Sequence, residues 1–201
     1  MDGSCRREPD LEHPFPSISA VCRGALFAPR LHPGDRVVYV TVRGHHPTYA
    51  NGRERRRRDA PNAWRLVALV EVLHRFDSHN AAACWYRAAG VRLPNNCLVD
   101  GNPPKPYHLT SRRIPARLRQ HVSPEENPAG TVRLWDAGYR RRVAAHPTFL
   151  VCRPIYIALW DPPVVTAEMM RAILGRLPAT RTPPRIDAHA FLAFARVAGV
   201  A

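Results

Sequence analysis

Lysine is nearly absent from this chain. Lys105 stands alone, so arginine supplies the other 29 of the 30 basic residues. Long apolar runs are missing too. No stretch approaches the roughly 20 residues that a membrane helix needs. The opening segment MDGSCRREPDLEH has no apolar core of the kind a secretory signal carries, and a cytoplasmic protein is the expectation. The five cysteines, Cys5, Cys22, Cys84, Cys97 and Cys152, stand apart with no C-x-x-C pair. That spacing argues against a zinc ribbon, a redox motif or a disulfide framework, and reads as reduced, structural thiols. Lys105 has no glycine loop before it, which excludes a P-loop. No G-x-G-x-x-G, G-x-S-x-G or H-E-x-x-H occurs either. The 16 acidic residues are scattered, so a two-metal nuclease would have to assemble distant carboxylates. No cofactor, metal or catalytic group is expected from these patterns.

What is present is positive charge. The 201 residues carry a formal net charge of +14. A GC-rich coding bias accounts for arginine over lysine but not for the excess of base over acid. Phosphate binding accounts for both, because the guanidinium fork matches a phosphate in bidentate fashion. Contact with a polyanion is therefore expected.

Along the chain, residues 1–16 are polar and interrupted by Pro9, Pro14 and Pro16, and read as a mobile arm. Residues 17–201 read as one domain. Three apolar runs, Ser17–Cys22, Arg36–Val42 and Trp64–Leu73, read as strands. The second is apolar enough to be buried on most of both faces. Residues 44–62 form a basic loop around the turn pair Asn51-Gly52, with Arg53 and Arg55, Arg56, Arg57 and Arg58. A helix over Asn80–Ala89 follows Asp77 or Ser78 as cap and stops at Gly90. Thr131–Trp135 reads as a short strand, and Phe149–Trp160 as one strand broken at Pro154 or two strands meeting at a corner. Thr166 or its neighbour caps a helix at about 167–174 that Gly175 ends, and Asp187 caps a last helix at about 188–198.

Recognition residues concentrate in the proline-rich segment VRLPNNCLVDGNPPKPYHLT, residues 91–110. A loop this long with apolar Cys97-Leu98-Val99 inside it is shaped rather than disordered. Its amides, Asn95, Asn96 and Asn102, can each offer a donor and an acceptor to a base edge. Trp64, Trp85, Tyr86, Tyr107 and Trp135 could supply a stacking face. The structural alternative is that the asparagines hold the turns and the aromatics fill the core. A Cys–His catalytic pair could be assembled from Cys97 and His108, which share the loop. The histidines, His45, His46, His108 and His121 among them, read as exposed loop residues.

Three pieces of the chain resemble the opening of the PUA-like domains, the superfamily of the EVE, ASCH and YTH domains. They are Ser19-Ala20-Val21-Cys22-Arg23, Gly34-Asp35-Arg36-Val37-Val38 and Ala68-Leu69-Val70-Glu71-Val72. The likeness is nearest to the nucleotide-modification-associated branch and covers roughly residues 17–110. Arg23-Gly24 stands where that branch has Lys-Pro, and the arginine-rich hairpin is additional. The resemblance implies an α+β fold, a small mixed or antiparallel β-barrel with flanking helices, and a pocket for one nucleobase, often modified or flipped. It places Ser19, Cys22 and Arg23 with Trp85, Asn95, Asn96 and Asn102 at the base. Arg55–Arg58 and Arg140, Arg141 and Arg142 would hold phosphates of DNA, RNA or a modified nucleotide. Two rivals stand beside this reading. One is a nucleic-acid-processing enzyme using Asp35, Glu71 or Cys97. The other is a basic protein-interaction module.

Overall fold

The computed structural model describes residues 4–21, 23–46, 48–50, 53–55, 60–110, 114, 118, 121, 124, 126–179 and 183–201. The fold is mixed α+β. Its strands are β1 (Ser17–Ser19), β2 (Arg36–Val40), β3 (Gly44–His45), β4 (Thr48–Ala50), β5 (Arg53–Arg55), β6 (Asn62–Phe76), β7 (Phe149–Ile157) and β8 (Val164–Val165). The order is β1-β7-β6-β2, with β3 and β8 also on β6, while β4 and β5 form a separate hairpin. Each pairing whose register is described is antiparallel.

Two compact units are formed where the sequence reads a single domain. Unit 1 comprises Met1–Gly34 and Val72–Arg153, and unit 2 comprises Asp35–Glu71 and Pro154–Ala201. The chain passes from one to the other after Gly34, inside β6 and inside β7. β6 is 15 residues long and mostly apolar, with Asn62, Arg65, Glu71, His74 and Arg75 interspersed. β7 runs through Pro154 without a break, because that residue lies beyond the β1 pairing, which ends at Val151, and faces outward.

In unit 1, α1 (His79–Ala88) begins where Ser78 Oγ accepts the Ala81 N–H at 3.1 Å. α2 (Pro128–Ala145) replaces the expected strand at Thr131–Trp135. Asn127 Oδ1 accepts the Gly130 N–H at 2.8 Å, and Pro128 supplies the fixed φ of a first helical residue. Thr131, Val132, Trp135, Asp136 and Tyr139 then fall on one buried face at helical spacing. Val21, Leu98, Ile114, Val132 and Trp135 pack together, and a second cluster joins Tyr86, Cys97, Val99, Phe149 and Val151. Residues 4–16 are not a loose arm. Cys5, Arg6 and Asp10 are fully buried and His13 nearly so.

Unit 2 closes its core with Trp64, Leu66, Leu69, Val165, Met170, Phe191 and Phe194. Burying each aromatic there contributes roughly 1.5–3 kcal/mol before entropy is counted. α3 (Ala167–Leu174) is capped by Thr166 and ended by Gly175 in the left-handed region, at φ 70°. α4 (Ala188–Val197) is capped by Asp187. β2 is only half-buried, with Val37 alone deeply so, because it pairs on one side with β6 and covers its face with Val38 and Val40.

Candidate functional site

The amides expected at a base are brought together, but they face inward. Asn96 is fully buried. Its Nδ2 donates to Glu8 Oε2 at 2.8 Å and to Ser17 O at 3.3 Å, and its Oδ1 accepts from Ser17 Oγ at 2.6 Å. Ser19 gives both its N–H and its hydroxyl to Glu8, at 2.9 and 2.6 Å. Asn95 Oδ1 accepts the Arg7 N–H at 2.6 Å, and its own N–H donates to Asp10 at 2.7 Å. Asn102 Nδ2 donates to the carbonyls of Pro94 and Cys97, at 2.9 and 2.6 Å.

Arg6 is the hub of this assembly. Its Nε and one terminal nitrogen grip the two oxygens of Asp136, at 2.6 and 3.2 Å. The other terminal nitrogen donates to the carbonyls of Asn95 and Asn102, at 2.9 and 3.0 Å. A buried guanidinium needs this degree of satisfaction to be tolerated. The loop is thus wound around a side chain from the amino-terminal segment, and its amides are committed to holding that winding. Trp85 packs edge-on against Phe15 and Tyr86. Arg23 is exposed ahead of a short 3-10 turn, and Cys22 lies outside the described residues.

The same interior answers the cysteine rival. Cys97 is buried, its Sγ lies 3.5 Å from the His79 carbonyl, and burial pushes its thiol up to about 12. His108 is exposed in a 3-10 turn over Tyr107–Leu109. A nucleophile needs the thiolate, which this environment opposes. Asp35 is half-buried, and Glu71 faces Arg36 at 3.7 Å. Among the described residues no three His, Cys, Asp or Glu side chains are grouped to hold a metal.

A cleft does form on α2. It encloses about 510 Å³ and is lined by Leu118, His121, Leu134, Trp135, Gly138, Arg141 and Arg142. The helix sorts its three consecutive arginines by direction. Arg140 turns to acids, with Nε 3.1 Å from Asp136 and a terminal nitrogen 3.7 Å from Asp100. Arg142 donates to the Val21 carbonyl at 2.9 Å and lies 5.9 Å from the Tyr139 ring, which holds its head in place. Arg141 is exposed at the cleft. The lining therefore combines two arginines and a histidine (Arg141, Arg142, His121) with apolar residues (Leu118, Leu134, Trp135), and no carboxylate is among the described lining residues. Such a lining suits an anion carrying an apolar or planar body.

Of the expected phosphate contacts, Arg141 and Arg142 reach this cleft and Arg140 is neutralised beside it. Arg55 is the last residue of β5, with its side chain outside the described set, and Arg56–Arg58 lie outside the described residues altogether. Trp64, Tyr86 and Trp135 are core side chains. Leu134, Gly138 and His121 were not legible as site residues, because the helix that gathers the first two reads locally as strand and loop. Comparison with family models, with curated proteins and with solved structures finds no match.

Proposed function

We propose that this protein binds nucleic acid and holds the sugar–phosphate backbone in the α2 cleft. The observation that carries the proposal is the convergence of Arg141, Arg142 and His121 on a cleft with no acid among its described lining residues. The net charge of +14 supports it, because long-range attraction brings a polyanion to such a surface. Arg142 is pre-ordered by its Val21 and Tyr139 contacts, so little freedom is lost when a phosphate arrives. The antiparallel sheet is what supports the PUA-like part of the reading, in which one base, modified or not, is selected. The internal commitments of Asn95, Asn96 and Asn102 put base contact on other side chains.

Binding of a labelled oligonucleotide across a salt series tests this. Arg141→Ala with Arg142→Ala should weaken binding and lower the salt slope by about two contacts' worth. Arg133→Ala, an exposed arginine on the same helix outside the cleft lining, should change affinity far less. Equal effects from both variants would refute the cleft as the phosphate site. Affinity for a protein partner that no nucleotide competes with would favour the interaction-module reading instead.

A further inference from the structure

Unit 2 exposes one tryptophan on a loop that the backbone holds at both ends. The Ala158 N–H donates to the Val67 carbonyl at 2.9 Å. Five residues later the Pro163 carbonyl accepts the Leu66 N–H, also at 2.9 Å. Val67 and Leu66 are neighbours on β6, so Leu159-Trp160-Asp161-Pro162 is pinched out of the sheet edge between two adjacent anchor points. Pairing resumes at once, with Val164 opposite Arg65 and Val165 opposite Trp64. Pro162 and Pro163 stiffen the returning limb.

This loop presents Trp160 at 75% exposure. The other three tryptophans are buried or half-buried. Leaving an indole in water forfeits the burial free energy that a core position would return. A loop anchored this closely keeps the ring displayed instead of letting it fold back. The composition of unit 2 favours an anionic partner, with 13 arginines against seven acidic residues. Asp161, the one acid of the loop, has an answering charge. Burial lowers the pKa of Arg65, and Asp161 acts on it in the opposite sense.

We infer that Trp160 is a stacking platform for an unpaired base, so that the nucleic acid recognised is single-stranded. A duplex keeps its base faces covered, whereas a single strand offers one to any exposed aromatic. This inference rests on the nucleic-acid reading above and adds the strandedness to it.

The test compares the full-length protein with Trp160→Ala and Trp160→Phe. The probes are a short oligothymidylate and a duplex of the same length, with urea denaturation confirming equal stability. Trp160→Ala should weaken single-strand binding by roughly tenfold or more, Trp160→Phe should recover most of it, and duplex binding should not move. The salt slope should be the same in all three proteins. In the wild type, the oligonucleotide should protect tryptophan emission from acrylamide quenching, and Trp160→Ala should abolish that protection. Wild-type binding that Trp160→Ala leaves intact refutes the stacking platform while preserving the nucleic-acid reading. A wild type that binds neither probe refutes that reading itself. An emission shift that grows with protein concentration would assign the ring to a second copy of the chain and overturn the inference.

Discussion

Acidification should destabilise this protein through one buried histidine. His79, the first residue of α1, is 3% exposed and lies edge-on to Phe149 at 4.9 Å. Its Nδ1 accepts the Leu98 N–H at 3.0 Å, which fixes the neutral tautomer with the proton on Nε2, and Nε2 has no hydrogen-bond partner among the described residues. Burial, reinforced by the Arg6 charge, lowers its pKa from 6.5 to about 4. Below the unfolded-state value the unfolded chain takes up a proton that the folded chain refuses. Stability is therefore complete above pH 6.5, falls as pH drops, and stops falling near the folded-state pKa. Between pH 7 and pH 5 the linkage relation gives a loss of about 2 kcal/mol. Urea denaturation followed by tryptophan fluorescence at pH 7, 6 and 5 reads it. His79→Asn, whose side-chain oxygen can keep the Leu98 contact, should be less stable at every pH but should lack that slope. Ordinary carboxylates titrate mostly below this window, so the difference between the two proteins isolates the imidazole. Parallel pH profiles would refute the account.

Two further outcomes follow from the buried network. Asp136→Asn removes the charge facing Arg6 at 2.6 Å and Arg140 at 3.1 Å, and should cost about 3–5 kcal/mol. A thermal melt should fall by roughly 6–20 °C, and an unchanged melt would mean that Arg6 finds water or another acid. Asn96→Ala should cost about 1–3 kcal/mol, by leaving Ser17 and Glu8 short of partners. Oligonucleotide affinity of the folded protein should not change. Loss of base-selective binding at native stability would return Asn96 to a recognition role.

Local signals were readable where side chain and backbone interact within a few residues. Ser78, Thr166 and Asp187 each accept the N–H three residues on, and Gly175 takes the left-handed conformation its position implies. Apolar runs marked β2, β6 and β7 because a strand's covering is written in its own pattern. α2 was misread because TVRLW taken alone has β-branched and aromatic content. Its helical face emerges only when Asp136 and Tyr139 are counted, and the Asn127-Pro128 start lies upstream of it. Burial of residues 4–16 was also hidden. A polar, proline-punctuated segment gives no hint that Asp136, 130 positions away from Arg6, will neutralise it.

The same non-locality separates the site from its sequence signals. Asn95, Asn96 and Asn102 bond within the protein, because an amide that can read a base edge can equally read a backbone carbonyl. Only Arg6 and Glu8, brought in from the amino-terminal segment, decide between the two. Arg140, Arg141 and Arg142 look identical in sequence. On a helix, successive residues point about 100° apart, so one meets Asp136 and Asp100 while the next two face the cleft. Composition therefore shows an excess of positive charge and nothing of its arrangement. Which arginines remain available to an anion follows from the acids that the fold places beside the others.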